Sequence, residues 1–276
     1  TTNKLLPFLP MPLIQILLGI GIGLCLPNNQ YHLDTELFLA LVIGPLLFRE
    51  AQEADITSIL KHWRIVLYLI FPVIFVSTLS MGGLAHVLWV SLPLAACLAV
   101  GAALGPTDLV AFASLSERFT FPKRVSNILK GEGLLNDASG LVAFRVALIA
   151  WTTGTFSIAQ AGISLAISIV GGFAVGLITA FINRSLHSFL LSVRATDIAS
   201  ELLLDLSLPL LTFFIAEEIH VSGIIAVVVA GILKASRFKK INLLEAQVDT
   251  VTETVWHTVT FMLNGSVFVI LGMELE

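Results

Sequence analysis

Lysine and arginine are confined to alternate loops of this chain, and their placement limits how it can fold more tightly than any other feature. Nine apolar runs lie at about 10–27, 36–54, 63–80, 87–117, 125–151, 157–183, 199–218, 222–236 and 249–272, separated by short polar segments. Numbered in order, the loops bearing Lys61, Arg64, Arg118, Lys123, Arg124, Arg184, Arg194, Lys234, Arg237, Lys239 and Lys240 all fall on one side. The opposite loops, Asn28 to Thr35, Met81 to His86, Thr152 to Thr155 and His220 to Ser222, carry no Lys or Arg. Roughly 20 apolar residues cross the hydrocarbon core as a helix, and basic loops stay cytoplasmic. The chain therefore reads as an all-α polytopic membrane protein, with residue 1 inside and Glu276 outside. An even number of spans would break the alternation. Trp63 and Trp256 are expected as interfacial anchors at inner span ends, and Trp89 and Trp151 at outer ones.

Composition agrees. Only 12% of residues are charged against 57% hydrophobic, with a mean hydropathy of +0.95, whereas soluble domains average about 25% charged. No positive patch points to nucleic acid. Cys25 and Cys97 both fall in apolar spans, so neither a disulfide framework nor a metal site is expected. The chain begins with Thr1 and shows no cleavable signal pattern before its first span, which reads as a fragment. The run 87–117 is too long for one upright helix and 222–236 is short, so some spans must tilt, break or re-enter.

Three segments carry unusual chemistry. The stretch Gly131 to Gly140 places Glu132, Asn136 and Asp137 inside an apolar helix expected over about 125–151. Asp137 is near mid-depth, where an ionised group is costly and faces a partner or a water-filled cavity. Gly133 and Gly140 share its helix face at i−4 and i+3, so another backbone can approach closely. Arg145 lies two turns further on, about 12 Å along the axis, too far for a direct salt bridge to Asp137. It either serves another carboxylate or reaches the outer interface.

The second segment is Gly101 to Asp108. Pro106 removes a backbone donor and disfavours helix at Gly105, so the overlong span is expected to break there. A restarting helix would be capped by Thr107 or Asp108. Broken helices at mid-membrane bind ions in transporters, and the segment directly precedes the Asp137 helix. The plainer alternative is a kinked helix with Asp108 as an ordinary cap. The third segment, Gly44 to Glu53, holds Arg49 and Glu50 at the inner half of its span. Arg49 either snorkels to the interface or turns inward, and Glu50 is a candidate for an ion pathway. Glu201 and Asp205, near an inner span end, are read as interfacial. Glu217, Glu218 and His220 border an outer turn, and Asn264, Ser266 and Glu274 lie near the last outer end. All are weaker signals.

These motifs resemble the cation/proton antiporter family, in particular its electroneutral sodium/proton exchanger branch of bacterial type. The resemblance rests on Asn136-Asp137 within Gly131 to Phe144, on Pro45 to Phe48 and on Gly105 to Ala111. It extends to Ala216 to Gly223, Ala226 to Gly231 and Asn264 to Gly272, all in family order. It implies the sodium/proton antiporter fold of about thirteen helices, with inverted repeats and discontinuous crossing helices. Residues 1–276 would form a single transmembrane transporter domain, with a first helix and the last few lying beyond the chain at both ends. By resemblance, Asp137 binds the cation or protons, Asn136 marks the electroneutral branch, and Thr107 and Asp108 sit in the unwound crossing. Glu132 would support the core by pairing with an arginine on a later helix, with Glu50 and Arg145 as further supporting residues. The sequence departs from the pattern at Gly133, where serine is frequent, at Arg49, where the acidic residue falls, and at Leu109, where proline is usual.

The function implied is exchange of a monovalent cation, sodium first, for a proton by alternating access around Asp137. The alternatives are potassium/proton exchange on the same fold, or a non-transporting sensor or partner fragment. An intramembrane hydrolase lacks a nucleophile and base at matched depth. No cofactor is expected beyond the transported ions, and the expected partners are the bilayer and, at full length, a second copy. The expected location is the plasma (inner) membrane.

Overall fold

The structure, a computed structural model, describes residues 11–25, 34–54, 63–105, 121–153, 158–192, 198–235 and 243–275, with only the backbone described for some helical residues. Each expected span contains helix. In chain order these are α1 (Met11–Cys25), α2 (Thr35–Phe38), a π-helical turn (Leu39–Ile43), α3 (Gly44–Glu53), α4 (Trp63–Leu88), α5 (Leu94–Leu104), α6 (Lys123–Thr153), α7 (Ile158–Ser192), α8 (Ile198–Glu218), α9 (Gly223–Ala235) and α10 (Leu243–Glu274).

The Asp34 carboxylate caps α2, accepting from the N–H groups of Glu36 at 3.0 Å and Leu37 at 3.3 Å. The π turn that follows has a local cause. Pro45 has no N–H to give the carbonyl four residues back and its ring crowds that turn. The Gly44 N–H instead reaches the Leu39 carbonyl, five residues back, and the widened turn leads straight into α3.

Within membrane-length rods, burial rather than propensity decides which faces meet. Helix α9 is central: Ile224, Ala226, Val227, Val228 and Ala230 are all buried between α3, α7 and α8. Its neighbours contribute Phe48 and Ala51 from α3 and Phe213 from α8 to one apolar cluster. Helices α4, α5 and α6 pack on one another as a second group, and α1 pairs with α10. The outward face of α7 leaves Ile163, Val170, Phe173, Phe181 and Phe189 exposed, the surface a hydrocarbon solvent requires. Among the described residues, Ala166–Leu190, Ile198–Glu218 and Thr250–Glu274 are long and apolar enough to cross a membrane.

Two expectations are corrected. The outer loop placed at Met81 to His86 is helix; α4 runs on to Leu88 and the turn lies at 89–93. Gly82 and Gly83 read as turn residues, but Gly82 serves close packing. A Cβ there would stand 3.0 Å from the Cys97 carbonyl oxygen and the Leu98 Cα, and one on Gly101 would overlap the Thr78 carbonyl. The shift also shortens the overlong run, since α5 starts only at Leu94. Trp256 is not an interfacial anchor. It is 1% exposed, packs on Phe48 with ring centroids 5.9 Å apart and planes tilted by 37°, and donates its indole N–H to Asp205 at 2.9 Å. An interior carboxylate supplies the polar partner that water would give an indole at the interface. Trp89 and Trp151 are exposed as expected.

The α1–α10 crossing is equally tight, since a Cβ on Gly19 would overlap the Val269 carbonyl and one on Gly272 the Ile16 carbonyl. Gly272→Ala is expected to force the two helices apart and to cost about 1–3 kcal/mol. That cost should appear as a lower melting midpoint in detergent. An unchanged midpoint would mean that the crossing is loose.

Candidate functional site

Helix α6 places Asn136 and Asp137 about half-way along its 31 residues; only their backbone is described. Glu132, Gly133 and Gly140 are buried, and Leu141, one turn beyond Asp137, packs against the central apolar cluster.

Helix α6 packs chiefly on α5, which ends at Leu104 with Gly105 following as a bend. The helix stops where the glycine–proline pair predicts. Thr107 and Asp108, expected in the crossing, lie outside the described residues. The structure therefore brings α5, the helix that precedes Thr107 and Asp108 in the chain, against the helix that carries Asp137.

Helix α3 holds Glu50 half-buried, with its Oε2 atom buried. Arg49 takes the first of the courses left open for it, toward the inner end of its span, where Glu53 is 63% exposed. It reaches forward along its own helix, Nε to Glu53 Oε1 at 2.7 Å and Nη1 to Gln52 Oε1 at 3.3 Å. The i, i+4 spacing allows this without leaving the helix surface.

Arg145 does serve another carboxylate. Its Nη1 donates to both oxygens of Glu217, at 2.9 and 3.1 Å, and its Nη2 to Oε2 at 3.1 Å. Glu217 also accepts the Gly223 N–H at 3.0 Å, so one carboxylate joins α6, the end of α8 and the start of α9. Sequence reasoning passed over Glu217 because its partner lies 72 residues away. The outer turn beside it closes through His220, whose φ of 60° puts it in the left-handed region. Its N–H bonds the Glu217 carbonyl at 2.9 Å, and the Val221 N–H bonds that of Ala216 at 3.0 Å. His220 is an exposed turn residue.

A second polar cluster lies toward the basic side. Asp205, 5% exposed, forms an ion pair with Lys234 and accepts from Trp256, while His187 meets Glu201 at 2.6 Å. Asp205 is therefore a core residue, not an interfacial one. Its charge is held inside by two donors from α9 and α10, since a buried ion requires paired and bonded surroundings. The sequence carried one clue: Lys234 closes the apolar helix α9, and a cation at that place needs a neighbouring anion.

Apolar helices with large exposed hydrophobic surfaces, and a carboxylate-bearing helix packed on one that ends at Gly105, define an integral, polytopic helical membrane protein of antiporter fold. That class is matched by comparison with known proteins. Residues 2–276 match the family described as "Sodium/hydrogen exchanger, transmembrane", and the chain belongs to that family. It is 37% identical over 273 residues to a "Sodium, potassium, lithium and rubidium/H(+) antiporter" of Bacillus subtilis (strain 168), covering 99% of this chain and 41% of that protein. An "Uncharacterized Na(+)/H(+) exchanger" of Escherichia coli (strain K12) is 34% identical, with 99% and 50% covered. The chain thus spans about half or less of the length of these two relatives. The solved sodium proton antiporter MjNhaP1 from Methanocaldococcus jannaschii superposes with a TM-score of 0.71 at 21% identity, covering 99% of this chain and 66% of that one. It shows the fold.

Proposed function

We propose that the whole protein is a secondary transporter exchanging a monovalent cation, sodium first, for a proton by alternating access around Asp137. The observation that carries this reading is the Asn136-Asp137 pair half-way along α6, packed on a helix that ends at Gly105. Withdrawal from water favours a neutral carboxylic acid, and a bound cation favours the carboxylate, so the two ions compete for one site. A site neutralised in either state, with an amide and not a second carboxylate beside it, fits electroneutral one-for-one exchange. Asn136, Thr107 and Asp108 complete the proposed ion site; Glu132, Glu50 and Arg145 support it. Residues 1–276 form one transporter domain in the plasma (inner) membrane, with basic loops cytoplasmic, and the full-length protein pairs with a second copy.

A second reading is a broader cation choice that includes potassium. The Bacillus relative's name favours it, as does Gly133, which offers no side-chain oxygen to select by size.

The test is proton flux into proteoliposomes of the full-length protein on adding sodium, then potassium, with an ionophore clamping the voltage. Flux driven by either cation and indifferent to the clamp supports electroneutral exchange, and the ratio gives the preference. A flux that follows the clamped voltage would overturn electroneutrality, and no flux would overturn transport.

A further inference from the structure

Helices α4, α5 and α6 pack together, α3, α7, α8 and α9 pack together, and α6 touches α3 and α7 over only a few residues. Across this boundary runs the Arg145–Glu217 pair. It is far from Asp137 along α6, about two turns, and lies toward the end that the loop charges place outside. Arg145 is one-third exposed and Glu217 18% exposed, so the pair is half-buried and only partly screened.

We propose that Arg145–Glu217 is an outer latch between the two helix groups, and that Glu217 is a positioning residue acting on Asp137 through α6. The proposal rests on the alternating-access reading. Its physical basis is directional. Three bonds between a planar guanidinium and a carboxylate fix both distance and orientation, and Glu217 is itself held by the Gly223 N–H at the start of α9. Such a pair does not stretch when one bundle rocks past the other. It is therefore made in one arrangement of the groups and broken in the other. Because it ties them at the outer end, the latched arrangement is the one closed to the outside. Breaking it lifts α6, with Asn136 and Asp137, toward outer access.

The experiment uses the full-length protein in nanodiscs and vesicles, with Arg145→Gln, Glu217→Gln and the double variant. Hydrogen exchange is followed along α6 and through the α8–α9 turn. Each single variant is expected to speed exchange in the outer part of α6 and at residues 217–223, leaving the inner part of α6 unchanged. In sided vesicles each should shift the ratio of outer to inner apparent cation affinity by about tenfold, the scale of a typical coupling between sites. The double variant should match the singles, because a broken latch cannot be broken twice. Arg145→Lys, which keeps the charge but loses the fork, should restore part of the effect. Faster exchange throughout all helices would show a structural role only, and additive single effects would show two unrelated residues; either overturns the latch. Hydrogen exchange needs no transport, so an outer-end signature without cation-driven flux would retain the latch while removing the transport reading.

Discussion

Asp137→Asn, made in the full-length protein, is expected to reduce cation-driven proton flux to the level of empty vesicles. The substitution keeps shape and hydrogen-bonding capacity while removing the group that can carry either a proton or a cation. No neighbour in the α6 stretch can take over both roles, since Asn136 is an amide and Glu132 lies more than one turn away. Folding should survive, because a neutral amide at mid-membrane is less costly than an ionised carboxylate. An unchanged or raised melting midpoint would confirm that the loss is chemical. Flux that persists in the variant would place the ion site elsewhere, with Asp108 next to test.

Asp205→Ala carries the largest expected effect on stability. It leaves the Lys234 ammonium, 17% exposed, without its carboxylate, and the buried Trp256 N–H without an acceptor. Breaking a buried ion pair from one side costs about 3–5 kcal/mol, and the loss should appear as a large drop in the detergent melting midpoint. The paired replacement Asp205→Leu with Lys234→Met is the sharper test. It removes both charges and leaves only the indole N–H unpaired, so it should recover most of the loss. If the paired variant is as unstable as Asp205→Ala, the cluster matters for more than its charge balance.

The succession of helices was legible because apolar runs between polar segments follow from solvent. The periodic return of Lys61, Lys123, Arg194 and Lys239 between those runs is read from the sequence and needs no knowledge of packing. What sequence obscured were choices made between helices. Gly82 reads as a turn residue until Cys97 and Leu98 are seen against it. Trp256 reads as an interfacial anchor until Asp205, 51 positions away, is found at its nitrogen. Glu217 was weak alone and became central once Arg145 reached it. Asp137, Asn136 and Glu132 were expected within one apolar helix and all lie in α6, because an aspartate amid apolar residues is conspicuous in itself. A partner's identity is a tertiary fact, and only the fold supplies it.

The π turn at Leu39–Ile43 bears on how chains of this kind can differ in length. Such a turn houses one residue more than an α-helix uses there, and the turn itself, through Leu39, and α3, through Phe48, both hold buried residues toward the core. Deletion of a single codon within it should be absorbed by reversion to ordinary helix. The same deletion in α3 would turn everything before it by about 100° and carry buried positions out to lipid. This short stretch is therefore where a one-residue change in length can be absorbed without disturbing the protein's interior.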